Sequence, residues 1–207
     1  PGLKFKKNTG KMINYVRNNG HLINQRIKGT SKEFIGKQFN EVFGYDLRVD
    51  PTIYEGTGIV KKNGNGLKYG EILQLPISSH EVRPNHSYQK LITTNYPNNP
   101  NVFRELRVPI FGNIIPFVFF KKRYEEKRFD SKNILVRIYP TLDIFSQEEA
   151  DQIIYFCKTI NLEYGELDIF RANEDGKIYI VDVNNTPWWP CNKLGGIDKD
   201  IALNLYW

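Results

Sequence analysis

Helical spacing of apolar residues marks two segments of the chain. Over 32–42, apolar side chains recur every three or four residues, Ser31 can cap the start and Gly44 can end the segment. The sequence Ser-Gln-Glu-Glu at 146–149 forms a capping box before a second apolar stripe, made of Ala150, Ile153, Ile154 and Cys157. The pattern therefore predicts two helices, one beginning near Lys32 and one after position 146.

Shorter apolar or aromatic runs bounded by Asn, Pro and Gly predict strands. The runs cover 53–61, 67–75, 87–92, 106–111, 114–120, 164–171 and 177–183. The glycine-rich turn at 62–66 predicts a hairpin between the first two. The sequence Asn-Glu-Asp-Gly at 173–176 predicts another hairpin between the last two. The run pattern alone favours a mixed sheet.

Polar side chains interrupt the apolar pattern of the last predicted hairpin. Residues two apart on a strand share a face, so Glu166 and Asp168 point together, as do Asp182 and Asn184. If the strands pair, four oxygen-bearing side chains converge, which is costly to bury unless a cation lies among them. Magnesium held jointly by carboxylates and nucleotide phosphates fits such a set. The alternative is a solvent-facing edge hairpin, and the pattern alone leaves both open.

Composition narrows the class of protein without choosing a ligand. The 207 residues carry 29 basic and 23 acidic side chains, a net charge of +6, which suits polyanionic partners. We expect a folded protein without membrane contact, because 40% of residues are hydrophobic and no apolar run is long enough for a membrane span. Two cysteines, Cys157 and Cys191, form no disulfide framework, so we expect a reducing compartment and a cytoplasmic protein. Scattered histidines argue against a zinc site, and no known nucleic-acid module is visible.

The C-terminal hairpin resembles a motif of a known family. The run Tyr-Gly-Glu-Leu-Asp at 164–168, the Asp-Gly turn, and Asp-Val-Asn-Asn-Thr-Pro at 182–187 are similar to the metal-binding hairpin of the ATP-grasp superfamily. The resemblance implies that Asp168, Asp182 and Asn184 bind magnesium, with Glu166 a secondary candidate. Glutamate is more frequent in the superfamily where Asp182 stands, and the shorter aspartate can still chelate.

Two upstream lysines resemble the phosphate-binding residues of the same superfamily. Lys61, followed by the turn at 62–66, resembles the lysine and flexible glycine-rich loop that cover the triphosphate. Glycine lets backbone N–H groups approach an anion closely, although such a turn can also be an ordinary hairpin. Lys32 resembles the second nucleotide-binding lysine, and its alternative is an exposed helix lysine.

The predicted strand at 88–92 occupies the place of the superfamily's linker strand, whose backbone recognises adenine. The resemblance therefore implies nucleotide contacts at Gln89, Lys90 and Ile92, with Gln89 standing where the family often has glutamate. The alternative is an ordinary core strand.

An acidic-x-Arg-Val sequence completes the resemblance. Glu105 corresponds to an acid that can hold ribose, and Arg107 to an arginine that contacts phosphate. Lys121 and Arg123 follow the next strand and are suited to neutralising a transferring phosphate, as is Arg128. One of these basic residues can also be plain surface.

The resemblance covers roughly 32–187 and implies two α+β lobes with antiparallel sheets enclosing a nucleotide. We expect an extension or domain remnant at 1–30, a small lobe at 31–92 and a large lobe at 93–207, with the usual N-terminal domain reduced or absent. The sequence Trp-Trp-Pro at 188–190 replaces a glycine-containing loop of many relatives, so the acceptor side is expected to differ.

The implied activity is ATP-dependent ligation with ATP and Mg²⁺. A carboxylate would be phosphorylated and the acyl phosphate attacked by an amine or thiol. The acceptor is an unidentified small molecule, and nucleic acid is not the expected partner. Two alternatives remain: a kinase acting on a sugar or polyol hydroxyl, and a non-catalytic module that binds polyanions.

Overall fold

The computed structural model describes residues 20, 23–64, 70–129 and 132–187 of the chain. Within these residues the helices are α1 (Lys32–Phe43), α2 (Thr141–Ile144) and α3 (Gln147–Thr159). The strands are β1 (Gly56–Lys62), β2 (Gly70–Leu75), β3 (His86–Lys90), β4 (Asn95–Tyr96), β5 (Asn99–Phe111), β6 (Val118–Tyr124), β7 (Leu135–Tyr139), β8 (Tyr164–Arg171) and β9 (Ile178–Asn184).

Both predicted helices form with their predicted caps. The Ser31 hydroxyl accepts the Phe34 N–H at 3.4 Å at the start of α1. Gly44 ends α1 with φ +77°, a left-handed conformation that glycine adopts without steric cost. At the start of α3, Ser146 and Glu149 exchange side-chain and backbone hydrogen bonds of 3.1 and 3.0 Å. Local sequence therefore determines these helix boundaries.

The strands form two sheets, and every strand pair is antiparallel among the described residues. The small sheet has the order β2-β1-β3, and the large sheet has the order β7-β6-β5-β8-β9 with β4 on β5. The expectation of a mixed sheet is wrong. The consecutive pairs β5–β6, β6–β7 and β8–β9 are antiparallel, and so is the pair β5–β8, whose strands are separated in sequence by β6, β7, α2 and α3. The antiparallel lobes implied by the family resemblance are confirmed.

One face of the large sheet carries the main hydrophobic core. Helix α3 buries Ile153 and Phe156 against inward residues of the central strands, including Val108 and Ile169. Helix α1 joins the same core through Ile35 and Phe39, and it contacts both α3 and β9. The opposite face carries charged side chains of the central strands, such as Glu105 and Arg107, together with the buried Phe119.

Cys157 lies in this core, and burial raises the pKa of its thiol. This agrees with a packing role for the side chain, because an inert thiol is typical of a buried cysteine.

Several strand bounds differ from the sequence prediction. Strand β6 begins at Val118, because a turn at Gly112 and Asn113 precedes it and Pro116 cannot donate a ladder hydrogen bond. Strand β5 begins at Asn99, well before the predicted position 106. Strands β4 and β7 and helix α2 had no clear sequence signal.

The proposed segment 1–30 lies largely outside the described residues, as does the tail after 187. The boundary at 92/93 stays a prediction; α1 lies with the core of the large sheet. None of the described helices is long and apolar enough to cross a bilayer.

Candidate functional site

One face of the large sheet gathers most of the predicted site residues. Alternation along the strands and the register between them place on this face Lys121 and Arg123 of β6, Glu105 and Arg107 of β5, Glu166 and Asp168 of β8, and Asp182 and Asn184 of β9. The register shifts beside Asp168, a bulge of the kind often found next to functional sites. The sequence thus predicted a set that the fold brings onto one surface.

Arg107 holds the centre of this surface. Its Nε and Nη2 donate to the two Asp168 carboxylate oxygens at 2.8 and 3.1 Å, a bidentate pair. Its Nη1 lies 3.4 Å from Glu166, and Nη2 lies 4.0 Å from Glu105. Burial disfavours the charged guanidinium, but the three carboxylates outweigh it and raise the pKa of Arg107.

The two acids beside Arg107 respond differently to their surroundings. Burial acts to raise the pKa of Asp168, but Arg107, Lys121 and Arg123 together lower it to about 2. Burial dominates at Glu166, whose pKa is raised despite the nearby cations. Asp168 is therefore an anion at neutral pH.

A second ion cluster forms around Glu105. Lys121 Nζ and both terminal nitrogens of Arg123 lie 3.2 Å from the Glu105 carboxylate. Arg123 also donates from Nε to Asn133 Oδ1 at 2.8 Å. Asn133 lies in the connection after β6, and no sequence pattern pointed to it. Burial lowers the pKa of Lys121 although Glu105 opposes the shift.

Lys32 lies at the first position of α1 and reaches the acidic hairpin. Its side chain is 4% exposed, and its Nζ donates to Asp182 Oδ1 at 3.4 Å and to the Gly64 carbonyl at 3.3 Å. The N–H of Glu33 donates to Asn63 Oδ1 at 3.0 Å. The alternative of an exposed helix lysine is wrong. The end of β1, the start of α1 and the hairpin meet here.

Lys61 faces the same acidic hairpin from the small sheet. Burial lowers the pKa of its amine to about 8, while the charges of Asp182 and Asp168 act to raise it and that of Lys32 lowers it further. No carboxylate lies within 4 Å of its nitrogen among the described residues. The predicted glycine-rich turn continues from Lys62 through Gly64, and 65–69 lie outside the described part.

The predicted linker residues are buried in different ways. Gln89 is buried in the small sheet, on the face that carries Lys61. Lys90 Nζ donates to the Tyr179 hydroxyl at 3.1 Å, and Ile92 packs in the core of the large sheet. The backbone N–H groups of Lys90 and Leu91 donate to carbonyls of Leu47 and Thr57. An adenine contact by this segment stays a prediction.

The hairpin offers oxygen donors but no ready-made metal cluster. Among the described residues no three His, Cys, Asp or Glu side chains form a metal-binding group. Asp168 lies opposite Asp182 in the strand register, and its oxygens accept from Arg107. Asn184 Oδ1 accepts the Thr186 N–H at 3.1 Å.

The balance of charge around the hairpin selects the kind of cation that fits. Basic side chains on the two sheets and α1 (Lys32, Lys61, Arg107, Lys121, Arg123) outnumber the carboxylates (Glu105, Glu166, Asp168, Asp182) by one. A bare divalent cation would be repelled by the lysines and arginines. Magnesium that arrives with phosphate oxygens suits both the acids and the surrounding cations. The residues therefore fit a metal–polyphosphate complex.

Comparison with solved structures identifies similar folds. The ATP-grasp ligase PsnB complexed with a minimal precursor superposes with a TM-score of 0.59 at 17% identity, covering 87% of this chain and 62% of that one. D-Alanine–D-alanine ligase from Bacillus anthracis complexed with ATP gives a TM-score of 0.55 at 14% identity, covering 84% of this chain and 63% of that one. PsnB complexed with precursor peptide PsnA2 and AMPPNP gives 0.53 at 16% identity, covering 86% and 57%.

The present chain thus spans about three fifths of the length of these proteins. No protein-family model matches the sequence, and neither does any curated protein.

Proposed function

This chain has the ATP-grasp fold, and from that premise we propose that it binds MgATP and uses it to activate a carboxylate for ligation. The observation that carries the proposal is the position of the end of β1 beside the acidic hairpin. Lys32 donates to both Asp182 and the carbonyl of Gly64, three residues after Lys61, and the charges of Asp182 and Asp168 act on the Lys61 amine. A partly buried amine without a carboxylate contact is costly, and an anionic ligand between the sheets would compensate for it.

Lys61 and Lys32 are proposed to bind the phosphates. Both are basic, both lie next to the acidic hairpin, and they come from different elements, which allows them to contact a polyphosphate from two sides. Gln89 is proposed to line the adenine site, followed by Lys90 and Ile92. Gln89 lies on the same face of the small sheet as Lys61, and it is two residues further along β3 than Ser87, the register partner of Lys61. Glu105 would then bind the ribose or, through its ion pairs, orient Lys121 and Arg123.

Asp168, Asp182 and Asn184 are proposed to hold the magnesium ion. The ion would supply positive charge at the phosphoryl group being transferred. Because Arg107 and Lys32 now occupy the Asp168 and Asp182 oxygens, each must share or release its carboxylate when the metal complex binds. Arg107 would thereby become available to the phosphate, the role that the family resemblance implies for it.

The proposed reaction has two balanced steps. A carboxylate oxygen of the substrate attacks the γ-phosphorus of ATP, the bond to the β-phosphate oxygen breaks, and ADP leaves. An amine or thiol then attacks the acyl carbon, the carbon–oxygen bond to phosphate breaks, and inorganic phosphate leaves while the nucleophile loses a proton to water. Positioned cations such as Arg107, Lys121 and Arg123 stabilise charge on the transferring group, which is the main catalytic demand of phosphoryl transfer.

The acceptor is proposed to be a carboxylate-bearing small molecule or peptide. PsnB is described with a precursor peptide, and the other similar ligase is named for D-alanine. We therefore extend the candidate acceptors to both amino acids and peptides with acidic side chains.

A substrate screen tests the proposal. The protein is incubated with MgATP and sets of carboxylates, including acidic peptides, together with amines or thiols, and ADP and free phosphate are measured. Stoichiometric ADP and phosphate with a new amide or thioester would support ligation. Phosphate bound covalently to a stable hydroxyl acceptor would show a kinase instead. Absence of MgATP binding would contradict the proposal as a whole.

A further inference from the structure

Two buried polar atoms have no hydrogen-bond partner in the part of the chain that the structure describes. They are Ser87 Oγ on β3 and Arg128 Nη1 in the connection between β6 and β7. Ser87 is 0% exposed and the Arg128 side chain is 5% exposed. Buried polar atoms are nearly always paired, because an unpaired one loses its hydration without compensation. Two such atoms therefore require an explanation.

Both residues are related to Lys61, Ser87 through the strand register and Arg128 through its charge. In the small sheet Lys61 is the register partner of Gly70 on one side and of Ser87 on the other, so the three positions form a row on one face. A Cβ at Gly70 would overlap the ring of Phe129, which shows that the segment after β6 covers this row. The charge of Arg128 also acts on Lys61 and contributes to the lowered pKa of its amine.

The Arg128 guanidinium is fixed by its other contacts. Its Nε and Nη2 donate to Glu125 at 2.6 and 3.0 Å, and its plane lies over the ring of Phe103 with 4.5 Å between the guanidinium carbon and the ring centroid. These contacts prevent Nη1 from turning toward another protein acceptor. A donor held without an acceptor is suited to a ligand oxygen.

We propose that Ser87 Oγ and Arg128 Nη1 bind a phosphate group of the nucleotide together with Lys61. The inference rests on the proposed MgATP site. It adds Ser87 to that site and assigns a specific donor atom, Nη1, to Arg128, which the sequence alone marks only as suited to a phosphate. A hydroxyl, an ammonium and a guanidinium N–H are all donors, and phosphate oxygens are acceptors. Ser87 lies in the same row as Lys61, the proposed phosphate-binding residue, whereas Gln89, the proposed base-binding residue, lies one row further along the same face. We therefore assign Ser87 to the phosphate end of the nucleotide.

The Ser87→Ala variant separates a ligand role from a structural one. It removes a hydroxyl that bonds nothing in the protein, so the melting temperature without ligand should stay the same or rise. Affinity for a non-hydrolysable ATP analogue with Mg²⁺, measured by calorimetry, should fall about 10- to 150-fold, the range for one hydrogen bond to a charged group. Inorganic tripolyphosphate should lose affinity by a similar factor. The exposed Ser79→Ala is the matched control and should change neither quantity.

The Arg128→Lys variant provides a second, independent measurement. It keeps the charge but removes Nη1, so binding of the analogue and of tripolyphosphate should weaken together. Arg83→Lys, which alters an exposed ion pair with Glu71, is its control.

Each outcome has one interpretation. Equal phosphate affinities in wild type and both variants would overturn the inference while leaving the MgATP site intact. Loss of analogue binding with unchanged tripolyphosphate binding would overturn the phosphate assignment, because the contact would then be to base or ribose. If wild type binds neither probe, the proposed function fails, and this inference fails with it.

Discussion

Replacing Arg107 with methionine should destabilise the protein through charge, with little loss of packing volume. Arg107 is the one cation within 4 Å of both Asp168 and Glu166 among the described residues. The variant therefore leaves two neighbouring carboxylates without a direct counter-charge on the polar face of the large sheet.

The magnitude follows from the burial of these two acids. Removing one partner of a buried ion pair costs about 3–5 kcal/mol, whereas an exposed pair contributes about 0–1 kcal/mol. Glu166 is 5% exposed, but the Asp168 side chain is 24% exposed. We therefore expect the free energy of unfolding to fall by about 2–4 kcal/mol at pH 7.

The loss should depend on pH with a definite sign. In the wild type the pKa of Asp168 is lowered to about 2, so its ion pair stabilises the fold above the ordinary aspartate pKa and is lost as pH falls toward 2. Without Arg107 the pKa of both carboxyl groups rises, so they take up protons at a higher pH in the folded variant than in the folded wild type. The difference in unfolding free energy between wild type and variant should therefore be smaller at pH 4 than at pH 7.

Urea denaturation of both proteins at pH 7 and pH 4 measures this difference. Arg83→Met is the matched control, because the Arg83–Glu71 pair is close, at 2.6 Å, but exposed, and should contribute no more than about 1 kcal/mol. If Arg107→Met and Arg83→Met cost the same, or if the Arg107→Met cost is as large at pH 4 as at pH 7, the electrostatic reasoning is wrong.

Three further predictions concern single positions. Nucleotide affinity of the wild type should fall as pH rises above about 8, where Lys61 loses its proton. The Lys61→Met variant should bind nucleotide weakly at every pH. Calorimetry at pH 7, 8 and 9 tests this, and a wild-type affinity that does not change with pH would contradict it. Gly165→Ala should lower the unfolding free energy by about 1–3 kcal/mol, because the new Cβ would lie 2.7 Å from the Asn184 carbonyl oxygen. If urea denaturation shows that the variant is as stable as the wild type, the packing argument is contradicted. Glu105→Gln should destabilise by about 2–3 kcal/mol, because two cations lose their shared carboxylate, and an unchanged denaturation midpoint would refute it.

The acidic hairpin was predictable from sequence because its signals are local. Residue spacing of two fixes which side chains share a strand face, and the Asp-Gly turn at 175–176 fixes which strands pair. The same holds for the two long helices, whose caps lie in the sequence itself. The family resemblance then ordered the remaining segments and gave the antiparallel lobes.

Contacts between distant segments were not predictable in the same way. Spacing does not show that Lys32 is buried against Asp182, 150 residues away, or that α1 packs with the core of the large sheet. The partners of Arg107 depend on strand order, which the chain pattern leaves open. Ser87 carried no signal at all, because a serine in a strand is ordinary until its surroundings are known.

The most direct test of the account is calorimetric titration of wild type and Asp182→Ala with a non-hydrolysable ATP analogue, each in the presence and absence of magnesium. Asp182 is partly exposed and bonded to Lys32, so the variant should stay folded, which circular dichroism would verify. We expect magnesium to strengthen binding to the wild type and to have little or no effect on the variant, because a metal carboxylate is missing. Equal affinity of the two proteins in the presence of magnesium would contradict the assignment of the acidic hairpin as the metal site.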